Sequence, residues 1–234
     1  MAEPVHTHLA EVGSTNDWLL AHAADLPDGW WVRADRQTAG RGRRGRVWHD
    51  GAGNLMASVL VKAEGPVQQF SFVAAVALRG AIAAACGVET RLKWPNDLLF
   101  DGAKVSGILL ERAGDALVVG IGVNVGWAPD DLERPAVAVG GSVEVLFAAL
   151  ARHFALWRGR WAMEGFAPVR AAWLAAAQGI GGRIEVRLGH ETLTGIFEGL
   201  GDDGALLLRM GDGRVRPVHA GEVFALGGRD AAGD

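Results

Sequence analysis

The sequence predicts an α+β fold, with a mixed β-sheet and packed helices in front and a small β-barrel behind. Three observations carry this expectation. Helical apolar periodicities starting at Pro66 and Ser142 are interleaved with strand-like runs over residues 1–178. After Gln178–Gly182 the pattern changes to short alternating strands separated by turn signals. Glycine makes up 34 of 234 residues, about twice the usual share, and much of the excess falls where tight turns or close backbone approach would be needed. The expected division is one domain over 1–178, a second over 179–228, and a disordered tail over 229–234.

Taken in order, Ser14-Thr15-Asn16 caps a short helix carrying Trp18, Leu19, Ala21 and His22. Trp31–Asp35 reads as a strand. Gly40–Gly45 lacks an apolar period and reads as a loop, and Leu55–Lys62 alternates as a strand. Pro66 suits the first turn of a long helix with Val67, Phe70, Ala74, Ala77 and Ala81 at helical spacing. Arg91–Trp94, Leu98–Phe100, Lys104–Glu111 and Leu117–Asn124 then read as strands joined by tight turns. Ser142–Met163 and Phe166–Ala177 are helical patterns. The second domain has strands at Ile184–Leu188, Leu193–Glu198, Ala205–Met210, Val215–Val218 and Val223–Leu226, with Asp-Asp-Gly and Asp-Gly as hairpin signals.

Composition narrows the function classes. The single cysteine, Cys86, forms no intramolecular disulfide and reads as a small buried hydrophobe. The Met-Ala-Glu-Pro start lacks the basic and apolar regions of a signal peptide. The longest near-apolar run, Ser71–Val88, carries Arg79 at its middle. A central arginine costs about 2.5–3.5 kcal/mol in a bilayer, so this is expected to be a buried helix of a soluble, cytoplasmic protein with no membrane partner. The net charge of −4 argues against a nucleic-acid partner. Yet Arg33, Arg36, Arg41, Arg43, Arg44 and Arg46 crowd one short stretch against Asp35 alone. An acidic chain that concentrates arginines in one loop is expected to hold an anion there.

Four constellations carry chemistry. Gly40-Arg41-Gly42-Arg43-Arg44-Gly45-Arg46 joins exposed backbone N–H groups to guanidinium forks suited to phosphate or carboxylate. An arginine-glycine nucleic-acid patch is the alternative reading of this heptapeptide. Lys93-Trp94-Pro95-Asn96-Asp97 places an ammonium, an amide and a carboxylate where a strand enters a turn, a set that could meet phosphate, an amide edge and a metal ion. A plain Asn-Asp turn with a packed tryptophan is its alternative. Lys104, with Gly107 three residues on, suggests an ammonium at the sheet surface beside cleared backbone, or else a surface lysine at a strand start. Gly120-Ile121-Gly122-Val123-Asn124 leaves room for a flat ligand against the sheet. No Walker loop, zinc-spaced Cys/His set or serine nucleophile elbow is present. His6 and His8 lie near an end expected to be mobile, and His49 suggests no role.

In this order, Ser14-Thr15-Asn16, Gln37 with Gly40–Gly45, Trp48, Lys93–Asp97, Lys104–Glu111 and Gly122–Asn124 resemble the biotin–protein ligase family. Gly195-Ile196-Phe197 and Gly204–Leu208 resemble its C-terminal domain. The resemblance implies a biotin/lipoate ligase-like catalytic domain followed by an SH3-like barrel. Only thirteen residues precede Ser14, so the expected form is monofunctional, without the family's N-terminal DNA-binding domain. Ser106 stands where many members have glycine or alanine.

The activity so implied has two steps: biotin and ATP give biotinyl-5′-adenylate and pyrophosphate, and a carrier lysine then takes the biotin. Carried over by position, Ser14, Thr15, Asn16 and Gln37 would meet the ureido end of biotin, and Trp48 would wall its pocket. Arg41, Gly42 and Arg43 would lie over biotin and the adenylate phosphate. Lys104 would touch the biotin carboxylate and α-phosphate. Arg41, Arg43, Arg46, Lys93, Asn96 and Asn124 would face ATP. Lys104, Arg43 and Asp97 are the expected catalytic residues, with Asp97 assisting Mg²⁺ or orienting the acceptor lysine. The partner implied is the biotin carboxyl carrier domain of a carboxylase, with the enzyme itself a monomer or homodimer. A lipoate–protein ligase or octanoyl transferase of similar fold is the rival enzyme reading, and a nucleic-acid-binding module the rival outside enzymes.

Overall fold

The computed structural model describes residues 4–49, 51–62, 65–130 and 135–225. Seven strands form one sheet: β1 (His6–Leu9), β2 (Trp31–Ala34), β3 (Leu55–Val61), β4 (Arg91–Lys93), β5 (Asp97–Phe100), β6 (Ala103–Ala113) and β7 (Ala116–Val123). Their order across the sheet is β1-β2-β3-β7-β6-β5-β4. The β1–β2 pair is parallel and the other neighbours are antiparallel, so the sheet is mixed as expected. The strand that makes it mixed was not foreseen. His6 and His8, expected near a mobile end, sit in β1, where His6 pairs with Trp31 and His8 with Arg33.

Four helices complete this part: α1 (Thr15–His22), α2 (Gln69–Cys86), α3 (Val143–Glu164) and α4 (Ala167–Ala175). Ser14 caps α1 from an extended backbone, as its position predicts, with its hydroxyl accepting from Asp17 N at 3.4 Å. Ser142 does the same for α3 through Val145 N. Pro66 does not open α2. It accepts from Gln69 N in an i→i+3 turn, and the α-helix starts only at Gln69. By length and composition α2 could cross a membrane, but it is mostly buried. It packs on α3 and against the sheet.

Period-two alternation decides which face each strand residue serves. Leu55, Ala57, Val59 and Val61 of β3 join Val119, Ile121 and Val123 of β7 in the core under α2 and α3. Leu60, Val118 and Val32 point the other way and pack on Leu19 of α1. Every residue of β3 is buried, because both faces are covered.

The second unit is a five-stranded antiparallel sheet of β8 (Arg183–Arg187), β9 (Thr192–Leu200), β10 (Leu206–Arg209), β11 (Val215–Val218) and β12 (Glu222–Ala225), ordered β11-β10-β9-β8-β12. Leu226, the expected end of the last strand, and the tail 229–234 lie outside the described residues. Ile184, Val186, Phe197, Leu206 and Leu208 belong to the same apolar cluster as the first sheet. Gly204 (φ 84°) makes one close contact between the two units. Its carbonyl accepts from Trp94 Nε1 at 3.2 Å, and a Cβ there would come 2.5 Å from Phe72 Cε2. Gln69 Nε2 donates to Asp202 O at 3.0 Å nearby. This docking brings β12 beside the arginine loop.

Candidate active site

Strand register lays out the floor of a cavity of about 460 Å³. Met56 pairs with Gly122, Gly122 with Gly107, and Gly107 with Asp97, which makes one row across four strands. Ser58, Gly120 and Leu109 make the next row. The glycine-rich strand was expected to leave room for a flat ligand. Gly120 and Gly122 do line the cavity, and the chain's own side chains also stand close over them. A Cβ at Gly120 would overlap Asn16, and one at Gly122 would come 2.5 Å from Trp48 Cε2.

At one end of the cavity the cap of α1 delivers Ser14, Thr15 and Asn16, all buried. Gln37 Oε1 accepts from both Thr15 N (2.8 Å) and Thr15 Oγ1 (2.9 Å). Ser58, fully buried on β3, donates its hydroxyl to Asn16 Oδ1 at 2.6 Å and lies 2.8 Å from Thr15 Oγ1. Asn16 Nδ2 donates to Glu111 at 2.7 Å. The side chains of Ser14, Thr15, Asn16 and Gln37 that line this end are uncharged. Those of Thr15, Asn16 and Gln37 are hydrogen-bonded to one another or to Ser58, with the Glu111 carboxylate holding Asn16 from outside the lining.

The arginine loop forms the roof. Gly42 N bonds Arg46 O at 2.7 Å and Trp48 N bonds Gly40 O at 3.0 Å, so the loop folds back on itself. Its tip is a single 3₁₀ turn, Arg43–Gly45, with Arg44 at φ 57° and Gly45 at φ 71°. A left-handed conformation at a non-glycine residue costs roughly 1–3 kcal/mol. The following Gly45 adopts its own positive φ without a Cβ penalty. Trp48 packs against Gly122 and Gly107, with its indole Nε1 buried and unpartnered among the described residues. Arg41 turns away to Asp17 and Glu111.

The other end is cationic. Arg43 Nη1 reaches Asn96 Oδ1 at 3.3 Å, and burial pulls its guanidinium down from the ordinary arginine value, with Arg44 adding repulsion. A desolvated cation of this kind gains most from an anion. Lys104 Nζ lies 2.6 Å from Asp97 Oδ1 and 5.9 Å from the centre of the Trp48 ring. Asn96 is fixed by donating to Ile108 O at 2.6 Å, and Asn124 by donating to Lys104 O at 3.4 Å.

Every residue given a catalytic or binding role by the resemblance lines this cavity except Lys93, while Gly40, Arg44 and Gly45 of the loop and Trp94 and Pro95 beside Lys93 do not. Lys93 shares the row of Asp97 and Gly107 but sits on edge strand β4, one strand farther out, and its ammonium lies 5.9 Å from the Phe224 ring. The sequence reading missed Met56, Ser58 and the role of Glu111. Ser58 was visible as the one polar residue of Leu55–Val61. Arg187, Glu222 and Phe224 of the second sheet also line the cavity and carried no local signal. Glu222 pairs with Arg46, and Arg187 stacks over Phe224 at 4.0 Å. His49 borders the cavity as well.

These features define an α+β protein with a cavity between a β-sheet and an arginine loop, uncharged polar groups lining one end and Arg43, Arg46 and Lys104 the other. Residues 10–127 match the biotin/lipoate A/B protein ligase family and residues 179–226 the biotin protein ligase C-terminal domain, and the chain belongs to the biotin protein ligases. It is 44% identical to a biotin–[acetyl-CoA-carboxylase] ligase of Paracoccus denitrificans, over 92% of this chain and 98% of that protein. It is 36% identical to the corresponding ligase of Mycobacterium tuberculosis, over 93% and 88%. Among solved structures, the biotin protein ligase of Aquifex aeolicus in complex with biotin and ATP superposes with a TM-score of 0.84 at 27% identity, covering 94% of this chain and 97% of that one.

Proposed function

We propose that this chain is a biotin–[carboxylase] ligase that makes biotinyl-5′-adenylate and passes biotin to a lysine of a carrier domain. The observation that supports this most is the polarity of the cavity under the arginine loop. A fixed set of neutral hydrogen-bonding groups (Ser14, Thr15, Asn16, Gln37) stands at one end and three cations (Arg43, Arg46, Lys104) at the other. A ligand with an uncharged cyclic urea and a distant carboxylate fits that gradient, with the carboxylate beside the phosphates.

In the first step a carboxylate oxygen of biotin attacks the α-phosphorus and the bond to the β-phosphate breaks, releasing pyrophosphate. In the second, the acceptor amine attacks the acyl carbon, AMP leaves, and the amine loses a proton. Both steps concentrate negative charge near the α-phosphate, so preset cations and positioning supply the catalysis. Lys104 spans the biotin carboxylate and α-phosphate, Arg43 covers the adenylate, and Arg46, Asn96 and Asn124 border the nucleotide. Trp48 walls the biotin chain. Asp97 keeps the Lys104 ammonium in place, and Lys93 acts from the rim.

No group of three or more metal-ligating side chains occurs among the described residues. Mg²⁺ carried on ATP phosphates needs only one or two protein carboxylates, and Asp97 lines the cavity. Asp97 is the carboxylate that would meet it. The second sheet closes the nucleotide side and receives the carrier, a biotin carboxyl carrier domain, in the cytoplasm.

Incubation with ATP, Mg²⁺, biotin and a biotin carrier domain, read by mass spectrometry, tests the proposal. The expected result is a carrier mass increase that requires both ATP and biotin. Failure of adenylate formation in folded protein, with lipoate instead of biotin raising the melting temperature, would overturn it in favour of lipoate ligation.

A further inference from the structure

We infer that Arg41 is a positioning residue for the biotin end of the cavity, held there by Asp17 and Glu111, and that it is not a phosphate ligand. The inference rests on the ligase reading above and divides the labour of the loop's arginines. A guanidinium has five N–H donors. Arg41 directs Nε to Glu111 Oε1 at 3.1 Å and Nη1 to Asp17 Oδ2 at 2.6 Å. Its Nη2 reaches Asp17 Oδ1 at 2.5 Å and Glu111 Oε1 and Oε2 at 2.9 and 3.1 Å. The fork is thereby almost wholly committed to two carboxylates. One cation with two anions leaves a local excess of negative charge, which repels phosphate. Arg43, by contrast, makes one 3.3 Å bond to a neutral amide.

The tie also runs in the right direction for a strut. Asp17 lies in the first turn of α1, Glu111 lies on β6, and Arg41 stands at the start of the loop, bridged to Val47 where the loop returns. Glu111 Oε2 also accepts from Asn16 at 2.7 Å, and Asn16 shares the Ser58 hydroxyl with Thr15, which bonds Gln37. Arg41 therefore fixes the root of the loop to the same network that sets the neutral end, and Asp17 and Glu111 act through it.

The test is biotin binding by calorimetry, together with the KM values for biotin and ATP in pyrophosphate exchange, for Arg41→Met, Asp17→Asn and Glu111→Gln. Each variant should raise the biotin Kd and KM about tenfold and leave the ATP KM within about twofold. Asp17→Asn added to Arg41→Met should cost nothing further, because both break one tie. A rise in ATP KM for Arg41→Met with biotin binding intact would overturn the inference. So would a fall in ATP KM for Asp17→Asn, since it would show that freeing Arg41 lets it reach phosphate. Asp17 is more than half exposed, so its variant tests the tie without emptying a core. Absence of biotin binding in the unaltered protein would overturn the ligase reading itself, a different outcome from loss in the variants alone.

Discussion

Replacing Lys104 with alanine removes the cation placed where biotin and the α-phosphate would meet. Its ammonium sits 2.6 Å from Asp97 and borders the cavity. A charge-assisted hydrogen bond is worth about 1.5–3 kcal/mol. A full charge at about 4 Å in a partly screened site is worth about 4 kcal/mol at most. Adenylate formation should therefore fall by roughly tenfold to a thousandfold. A second effect adds to the first. Asp97 has only 16% of its side chain exposed, so without Lys104 its carboxylate loses its ion-pair partner, keeps the attraction of Arg43, and faces the incoming phosphates. The double variant Lys104→Ala/Asp97→Asn should recover part of the loss, a non-additivity expected of groups in direct contact. Single-turnover pyrophosphate release, with melting temperatures recorded in parallel, separates lost chemistry from lost folding. A Lys104→Ala rate near that of the unaltered protein would remove Lys104 from the reaction, and a double variant slower than the single would refute the pairing.

Arg43→Gly should still form adenylate but release it at least about tenfold faster, and an unchanged dissociation rate would reject the roof assigned to this arginine. Gly122→Ala places a methyl 2.5 Å from Trp48. Overpacking of this kind costs about 1–3 kcal/mol, so both melting temperature and biotin affinity should drop, and an unaltered pair of values would show that Trp48 moves freely. His153 is a half-buried base of α3 whose imidazole is pushed below its ordinary value, first by burial and then by Arg152. Its folded form resists protonation while its unfolded form accepts a proton near pH 6.5. Stability it contributes is thus present above about 6.5 and lost as pH falls through the lower folded value. His153→Gln should flatten the melting temperature between about pH 5 and 7, and an unchanged slope would exclude His153 as the cause.

Much of the molecule was legible from local pattern. Ser14 and Ser142 announce their helices because a cap needs only a short polar side chain before an apolar period. The strands of the main sheet are readable because their apolar runs are bounded by turns. The four-residue β1 was not, since His-Thr-His-Leu carries little apolar signal and exists as a strand through its pairing with β2. Pro66 matched a helix start by its chemistry, yet the chain makes a turn first.

The sequence by itself determined the arginine loop, the Lys93–Asp97 segment, Lys104 and the capped Ser14–Asn16 turn, because their chemistry is written in contiguous residues. Only the tertiary structure decided what those groups do to one another. Register across four strands puts Gly107 and Gly122 between Asp97 and Met56, so Trp48 can lie flat on the sheet. The same register leaves Lys93 one strand outside the cavity. Arg41 and Arg43 are indistinguishable as letters, but one meets Asp17 and Glu111, distant in sequence, while the other is half-buried beside Asn96. Electrostatic role depends on which charges lie within a few ångströms, and that is set by chain crossings no local pattern encodes.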